Sequence, residues 1–282
     1  MSLGQGTTAG AGPRIVVVGK GGAGKSTIAA VVARVLARRG FGVVAVDADE
    51  QRNLGATLGV APAVLASVEP VAANADYVEE KTGARPGGGA GGMVCLNPDT
   101  SDIVDRLAVP APDGVRLLVM GGVQRAGGGC LCPEHALISA MVGNMALRQG
   151  DVVVMDTHAG VEHFGRALAR GFDTAAVVVE PTFNSVQVGL ESARLGLQLG
   201  IERIELVVNR TTGPDSRRRV QSHLETLGGF PFTGSVVVPF DEMVARTEPS
   251  VDALLGGSAL LDAVGPWALG LVGGQDPGEG RD

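Results

Sequence analysis

The chain has 282 residues and a formal net charge of −7, and 45% of its residues are hydrophobic although only 3% are aromatic. This length accommodates one large α/β domain, or at most two smaller ones, with a core of Val, Leu, Ile and Ala. The negative charge disfavours nonspecific binding to nucleic acid, since the one basic run, SRRR at 216–219, is typical of a solvated helix face. No apolar stretch has the roughly 20 residues of a membrane-spanning helix, so no membrane association is predicted.

The termini and the cysteines set further expectations. The first 13 residues lack the basic and apolar regions of a signal peptide and are predicted to form a flexible leader. Residues 14–272 are predicted to form a single domain, and residues 273–282 a disordered tail. Three cysteines are an odd number in a long chain, which predicts a cytoplasmic protein without a disulfide framework and Cys95 as a packed thiol.

Short apolar runs recur along the chain, and each is typical of a buried parallel strand. They lie at 14–19, 42–47, 115–120, 151–156, 175–180, 204–209 and 235–239. Helix-prone sequence separates them at 26–39, 133–148, 185–199 and 216–227, whereas 57–92 is mixed and ends in a Gly-rich surface loop. This alternation predicts an α/β fold with a doubly wound, mainly parallel sheet flanked by helices and a ligand beyond the C-terminal strand ends.

The sequence GKGGAGKST begins at Gly19, where the first apolar run ends, and opens the first helix-prone segment. It fits the Walker A pattern G-x-x-x-x-G-K-[ST], in which glycines let backbone amides surround a phosphate at the positive end of a helix dipole. Lys25 is expected to reach the β- and γ-phosphates of a nucleotide, and the Ser26 hydroxyl to ligate Mg²⁺. The residues predicted to bind nucleotide in this loop are Gly21, Gly22, Ala23, Gly24, Lys25, Ser26 and Thr27.

Acidic residues follow two other predicted strands. Asp47 and Asp49 end the second apolar run, and side chains two apart on an extended segment point the same way. Asp156 ends another run, four residues before Gly160, in the layout of a Walker B carboxylate and a glycine that senses the γ-phosphate. Three aspartates at strand ends after a phosphate-binding loop predict a Mg²⁺–ATP hydrolysis site more strongly than helix caps or turns. The chain has no N-K-x-D guanine signature, which favours ATP over GTP.

Cys130 and Cys132 form a C-x-C pair just before a helix-prone segment. On an extended segment both sulfurs lie on one side, which suits a soft metal, yet two thiolates do not complete a tetrahedral site. Two chains related by a twofold axis supply four thiolates. The spacing does not choose between Zn²⁺ as isolated and Ni²⁺ as cargo, and a pair of buried or redox-active thiols is the alternative.

The second lysine of the loop, Lys20, completes the motif K-G-G-x-G-K-[ST]. This motif resembles the deviant Walker A of the dimeric ATPases that include the Min/Par partitioning proteins and the nitrogenase iron protein. The resemblance implies a homodimer in which Lys20 crosses to the nucleotide of the facing subunit. It also implies that Asp49 positions the attacking water, that Asp47 and Asp156 support Mg²⁺, and that residues bordering the adenine are Asn209 and Pro239.

Longer segments narrow the resemblance. Three segments are similar to the CooC-type accessory ATPases of carbon monoxide dehydrogenase maturation: LNPDTSDIVDRLAV, VRLLVMGGVQRAGGGCLCPEHALISAM and VVVEPTFNSVQVG. The most specific part of this similarity is the motif GGxCxCPExAL. The resemblance implies ATP-dependent insertion of nickel into the Ni–Fe–S cluster of a client dehydrogenase. It implies a nucleotide- and metal-dependent homodimer whose metal ligands are Cys130 and Cys132.

Two other functions remain open from the sequence. An electron-donating iron protein would take a cluster cysteine from the switch region, where this chain has Ala159. A Min/Par-type positioning ATPase would bind a membrane or DNA, which the acidic charge and the lack of a predicted amphipathic C-terminal helix disfavour.

Overall fold

The structure, a computed structural model, describes residues 12–85, 95, 97–121, 150–158 and 171–273. Several predicted features lie outside these residues: most of the leader and of the tail, most of the Gly-rich segment, and the helix at 133–148. The Cys130 and Cys132 pair and Gly160 also lie outside them.

The described residues form one eight-stranded sheet. Its strands are β1 (Arg14–Gly19), β2 (Val43–Ala48), β3 (Val109–Pro110), β4 (Arg116–Val119), β5 (Val152–Thr157), β6 (Thr174–Val179), β7 (Arg203–Thr211) and β8 (Gly234–Pro239). Their order across the sheet is β3-β4-β2-β5-β1-β6-β7-β8, and every pairing is parallel except that of β3 with β4. The predicted doubly wound, mainly parallel α/β sheet is confirmed.

The helices cover both faces of this sheet. They are α1 (Lys25–Arg38), α2 (Asn53–Leu58), α3 (Pro62–Ser67), α4 (Ala75–Thr82), α5 (Ile103–Leu107), α6 (Phe183–Gln198), α7 (Pro214–Thr226), α8 (Glu242–Thr247) and α9 (Ala259–Val272). The exposed basic run at 216–219 lies on α7 as predicted, with Ser216 buried and the three arginines solvated. Within the described part of the chain, no helix is both long and apolar enough to span a membrane.

The sheet separates two hydrophobic layers because successive strand residues point to opposite faces. On β1, Ile15 and Val17 pack into the layer that contains α1 and α9, whereas Val16 and Val18 pack into the layer that contains α6. Strands β2 and β5 are buried at every residue, as central parallel strands are.

Helix α9 closes the layer over α1 and β8. Its buried residues include Leu260, Val264 and Ala268, so the apolar side of this C-terminal helix belongs to the core. At the far edge of the same helix, Trp267 donates a hydrogen bond of 3.2 Å from Nε1 to Glu205 of β7.

Candidate nucleotide-binding site

A cavity of 620 Å³ opens at the carboxyl end of the central strands, which is the place predicted for the ligand. It is bounded by the loop between β1 and α1, by the segment from β2 to α2, by Arg210 near the end of β7, and by residues after β5 and α8. Its lining residues are Gly21, Gly22, Gly24, Lys25, Ser26, Thr27, Asp49, Gln51, Asn53, Ala56, Thr57, His158, Arg210, Glu248 and Pro249.

The loop between β1 and α1 needs glycine at two places for different reasons. Gly19 and Gly24 have φ values of 140° and 95°, which side-chain-bearing residues rarely adopt. A Cβ on Gly19 would collide with the backbone carbonyl of Val178, and one on Gly24 with Nδ2 of Asn209. The Walker A glycines therefore shape the loop and let neighbouring segments approach it closely.

Helix α1 begins at Lys25 with Gly24 as its N-cap and without an acidic residue in its first turn. The amides of a first helical turn have no partner inside the helix, and they carry the positive end of the helix dipole. Because no carboxylate competes for them in this turn, the cavity ends in a site for an anion such as a phosphate.

Lys25 lies at the floor of the cavity with only 7% of its surface exposed. Its Nζ donates to the carbonyl oxygen of Lys20 at 3.2 Å. Burial lowers the pKa of Lys25, and the negative charges of Asp156 and Asp49 oppose this effect. The ammonium group is thus held between the loop and two carboxylates.

Asp47 and Asp156 occupy paired positions on the adjacent strands β2 and β5, and neither is exposed to solvent. Burial and, to a smaller extent, the charge of Asp156 raise the pKa of Asp47 to about 7. Burial also raises the pKa of Asp156 to about 6, while the nearby Ser26 hydroxyl and the charge of Lys25 offset part of the effect.

The two carboxylates have different surroundings. Asp47 accepts hydrogen bonds from the backbone amides of Asp49 at 3.2 Å and Leu54 at 3.0 Å, and so orders the segment that leads into α2. Both oxygens of Asp156, in contrast, are buried without a hydrogen-bond partner among the described residues. Buried carboxylate oxygens beside a serine hydroxyl are the donor set that Mg²⁺ prefers, so Asp156 and Ser26 fit this cation.

Asp49 lies just beyond β2 at the cavity wall, with 8% of its surface exposed. Its Oδ1 accepts a hydrogen bond of 2.9 Å from the amide of Gln51, which fixes the carboxylate at the wall. Of the three predicted aspartates, Asp49 alone lines the cavity, while Asp47 and Asp156 lie behind it.

The other predicted residues are placed around the loop. Lys20 is half-buried at its start and makes no ion pair with residues in the described ranges. Asn209 donates from Nδ2 to the carbonyl of Ala23 at 2.8 Å, so its amide group binds the loop itself in this structure. Pro239 ends β8, outside the cavity lining. A contact of Asn209 and Pro239 with adenine stays a prediction.

Several lining residues were not predicted. Gln51, Asn53 and Thr57 belong to α2 or to the segment before it, and Glu248 and Pro249 follow α8. No local pattern marks them, because loops that are distant in sequence bring them together. His158, which follows β5, also lines the cavity.

Of the three cysteines, the structure describes Cys95. Cys95 is exposed, which contradicts the prediction of a packed thiol: its backbone amide donates to the carbonyl of Thr82 at 2.8 Å, whereas its side chain faces solvent. Among the described residues, no group of three or more His, Cys, Asp and Glu side chains is arranged to hold a metal. The C-x-C pair stays a prediction.

The fold and this site together define a P-loop ATPase. Residues 15–250 match the family model of the CobQ/CobB/MinD/ParA nucleotide binding domain. The chain belongs to this family. It is 34% identical over 267 residues to the carbon monoxide dehydrogenase accessory protein CooC of Rhodospirillum rubrum. The alignment covers 90% of this chain and 98% of that protein.

Solved structures agree on the fold. A ParA family ATPase from Chlorobium tepidum TLS superposes with a TM-score of 0.64 at 18% identity, covering 92% of this chain and 98% of that chain. The septum site-determining protein MinD of Pyrococcus horikoshii OT3, solved in complex with Mg-ADP, has a TM-score of 0.56 at 16% identity, covering 92% of this chain and 93% of that chain.

Proposed function

We propose that the protein is a homodimeric ATPase that assists the maturation of carbon monoxide dehydrogenase by ATP-dependent insertion of nickel. The observation that carries this proposal is the similarity to the Rhodospirillum rubrum accessory protein over nearly the whole length of both chains. A likeness confined to the phosphate-binding loop would support only nucleotide binding.

In this proposal each group at the cavity has a role in ATP hydrolysis. The loop amides and Lys25 hold the phosphates, and Ser26 and Asp156 would hold Mg²⁺, which supplies charge neutralisation at the β- and γ-phosphates when bound. Asp49, fixed at the wall by its bond with Gln51, accepts a proton from the attacking water and orients it. Asn209 and Pro239 border the adenine.

Lys20 acts across the dimer in this proposal. It starts the phosphate-binding loop, is half-buried, and does not line the cavity of its own chain. A lysine placed in this way is available to the nucleotide of a facing subunit, where it adds positive charge to the transferred phosphoryl group.

Nickel is the cargo of the proposed reaction, and Cys130 and Cys132 are its ligands. Two thiolates from each of two chains complete four soft ligands, which accept Zn²⁺ or Ni²⁺. Metal binding and dimerisation are therefore coupled, because half a site binds metal weakly.

The experiment that tests the metal site is metal content and oligomeric state, measured with and without ATP. We expect one Zn²⁺ or Ni²⁺ per two wild-type chains and none in a Cys130→Ser, Cys132→Ser double variant, with Cys95→Ser as the matched control that retains metal. Metal retained by the double variant would exclude the C-x-C site. A brown iron–sulfur spectrum after anaerobic purification would support the electron-donating alternative instead.

The client is tested in cells that make a carbon monoxide dehydrogenase. Loss of the ATPase gene should lower the nickel content and activity of the dehydrogenase, and a high nickel concentration in the medium should restore part of it. A fully active dehydrogenase in the deletion strain at low nickel would contradict this client.

A further inference from the structure

Arg210 has an unusual backbone conformation beside the phosphate-binding loop. It lies near the end of β7 with φ at 54°, and the pairing of β7 with β8 shifts register between Val208 and Thr211. A positive φ is unfavourable for a long side chain and persists where surrounding contacts hold it.

Two neighbouring residues of β7 donate hydrogen bonds to backbone carbonyls of the phosphate-binding loop. Arg210 donates from Nη1 to the carbonyl of Gly22 at 2.9 Å, and Asn209 donates from Nδ2 to the carbonyl of Ala23 at 2.8 Å. The backbone amide of Arg210 donates to Oδ1 of Asn209 at 2.9 Å, which locks the amide group of Asn209 in this orientation. Two successive loop carbonyls are thus tied to one strand end.

These bonds fix which way the loop amides point. In a planar trans peptide the carbonyl and the following N–H point in opposite directions. Holding the Ala23 carbonyl toward Asn209 therefore directs the Gly24 amide to the opposite side. Gly22 and Gly24 have φ values of 78° and 95° and lack the side chains that would limit their rotation. The external donors therefore restrain the loop together with its own bond, in which the Ala23 amide donates to the carbonyl of Lys20 at 3.2 Å.

The same Nη1 of Arg210 bonds Oε1 of Glu180 at 2.8 Å. Glu180 follows β6, and its backbone amide donates to the hydroxyl of Ser185 in α6 at 2.9 Å. The arginine thereby connects the loop with the ends of β6 and β7. Its side chain is 46% exposed and that of Glu180 is 22% exposed, so solvent screens the pair and its contribution to overall stability is small.

We propose that Arg210 is a positioning residue for nucleotide binding, which sets the orientation of the Gly22 peptide through its bridge to Glu180. It acts on the phosphate-binding groups of the loop, without a role for the adenine base. The proposal rests on ATP binding at this loop and is independent of the client enzyme, of the metal and of Lys20.

The first test is the affinity of the full-length protein for a fluorescent ADP analogue and for ATP. Arg210→Ala should weaken both by about tenfold, as expected for loss of hydrogen bonds from a charged donor. Arg210→Lys should recover part of the loss, because one ammonium group reaches a carbonyl or a carboxylate with poorer geometry. Arg218→Ala, which removes an arginine paired with Asp215 on the exposed face of α7, is the matched control and should bind as wild type does.

Steady-state kinetics separate positioning from catalysis. Since the loop holds the phosphates in the ground state and in the transition state alike, Arg210→Ala should raise KM for ATP about tenfold and change kcat much less. Its thermal unfolding midpoint without nucleotide should stay close to that of the wild type. A lowered midpoint with unchanged KM would assign Arg210 to stability only and overturn the proposal.

A double-mutant cycle tests the bridge. Glu180→Ala should weaken ADP binding by itself, and the Arg210→Ala, Glu180→Ala double variant should be no weaker than Arg210→Ala alone. Strictly additive losses would contradict the bridge, as would unchanged affinity of Arg210→Ala.

If Arg210→Ala does not fold, the Glu180→Ala and Arg210→Lys variants answer the same question. A wild-type protein that binds no ATP would contradict the nucleotide site itself, which is a different outcome.

Discussion

Asp47 and Asp156 stand side by side on β2 and β5 with both carboxylates buried. Each folded-state pKa lies above the ordinary value, because burial disfavours the charged form. The backbone amides of Asp49 and Leu54 satisfy Asp47, whereas Asp156 has no such donors in the described residues. Of these two carboxylates, Asp156 is therefore the one whose oxygens are available to a metal ion.

This arrangement predicts that the nucleotide-free protein loses stability as the pH rises. The folded state keeps protons on Asp47 to about pH 7 and on Asp156 to about pH 6, whereas the unfolded chain releases them near pH 4. The stabilisation is therefore complete below pH 4 and lost as the pH passes through 6 to 7. Thermal unfolding between pH 5 and pH 8 measures it.

The variant Asp156→Asn should separate stability from activity. Without a buried charge, it should unfold a few degrees higher than wild type at pH 8 and show a flatter dependence on pH. Mg²⁺-dependent ATP hydrolysis should fall by at least a hundredfold, because Asn supplies no charge to the metal. Asp215→Asn, on the exposed face of α7, is the control for both readouts. Wild-type hydrolysis by Asp156→Asn would remove this residue from the site.

Helix α1 is tied to its surroundings by a buried arginine as well as by apolar packing. Arg34, which is 3% exposed, pairs with Asp113 and Asp252 and donates to the carbonyl of Leu58 at 2.6 Å. Leu58 ends α2, and Asp252 follows the loop that carries Pro249, so Arg34 joins two walls of the nucleotide cavity. Both aspartates reach solvent, being 23% and 58% exposed, which weakens each pair.

Arg34→Ala is predicted to lower the free energy of unfolding by about 2–3 kcal/mol, since it leaves a buried carbonyl without its donor and opens a gap beside α1. Arg38→Ala is the matched control from the same helix. Arg38 is 42% exposed, pairs with the same Asp113 and donates to the carbonyl of Leu255 at 2.9 Å. Because solvent can replace these more exposed contacts, its loss should cost about 0.5–1 kcal/mol. Urea denaturation compares the two, and equal losses would contradict the role of burial.

The predictability of each element follows from the range of the forces that form it. The parallel strands were predicted within one or two residues, because burial on both faces demands a continuous apolar run. The six-residue helices α2 and α3 were missed, since so few turns show no period and depend on packing. Strand β3 is two residues long and contains Pro110, which cannot donate to the ladder. Helix α9 was missed because Gly265 and Pro266 lie inside it and read as breakers.

The site divides in the same way. The glycines and Lys25 form a local motif, so spacing alone predicted the loop that lines the cavity. The strand-end aspartates followed from the parallel fold. Arg210, His158 and Glu248 lie in separate parts of the chain, near the end of β7, after β5 and after α8, and only the folded structure brings them to the cavity.

The assembled molecule is where the proposal about Lys20 can be tested most directly. In a twofold dimer, each active site combines Asp49 of one chain with Lys20 of the other. A mixture of Lys20→Ala and Asp49→Asn chains then forms mixed dimers with one intact site and one doubly defective site. If Lys20 acted within its own chain, mixing would restore nothing.

We therefore predict that two inactive variants regain ATP hydrolysis on mixing. At equal concentrations half of the dimers are mixed and each has one working site of two, so activity should reach about a quarter of wild type. Lys25→Ala mixed with Asp49→Asn is the control, because both residues serve the same chain's nucleotide and no site is repaired. Sedimentation velocity with a non-hydrolysable ATP analogue checks that dimers form. Absence of recovery in mixtures shown to be dimeric would assign Lys20 to its own chain.

The single tryptophan of the chain lies on α9 and bonds Glu205 near the amino end of β7, whereas the nucleotide cavity opens at the opposite end of the strands. Its fluorescence therefore reports detachment of the last helix from the sheet and should be insensitive to ligand occupancy. The protein carries its own optical probe of unfolding, so the stability of every variant can be followed without a label, while nucleotide titrations use a second, independent emission.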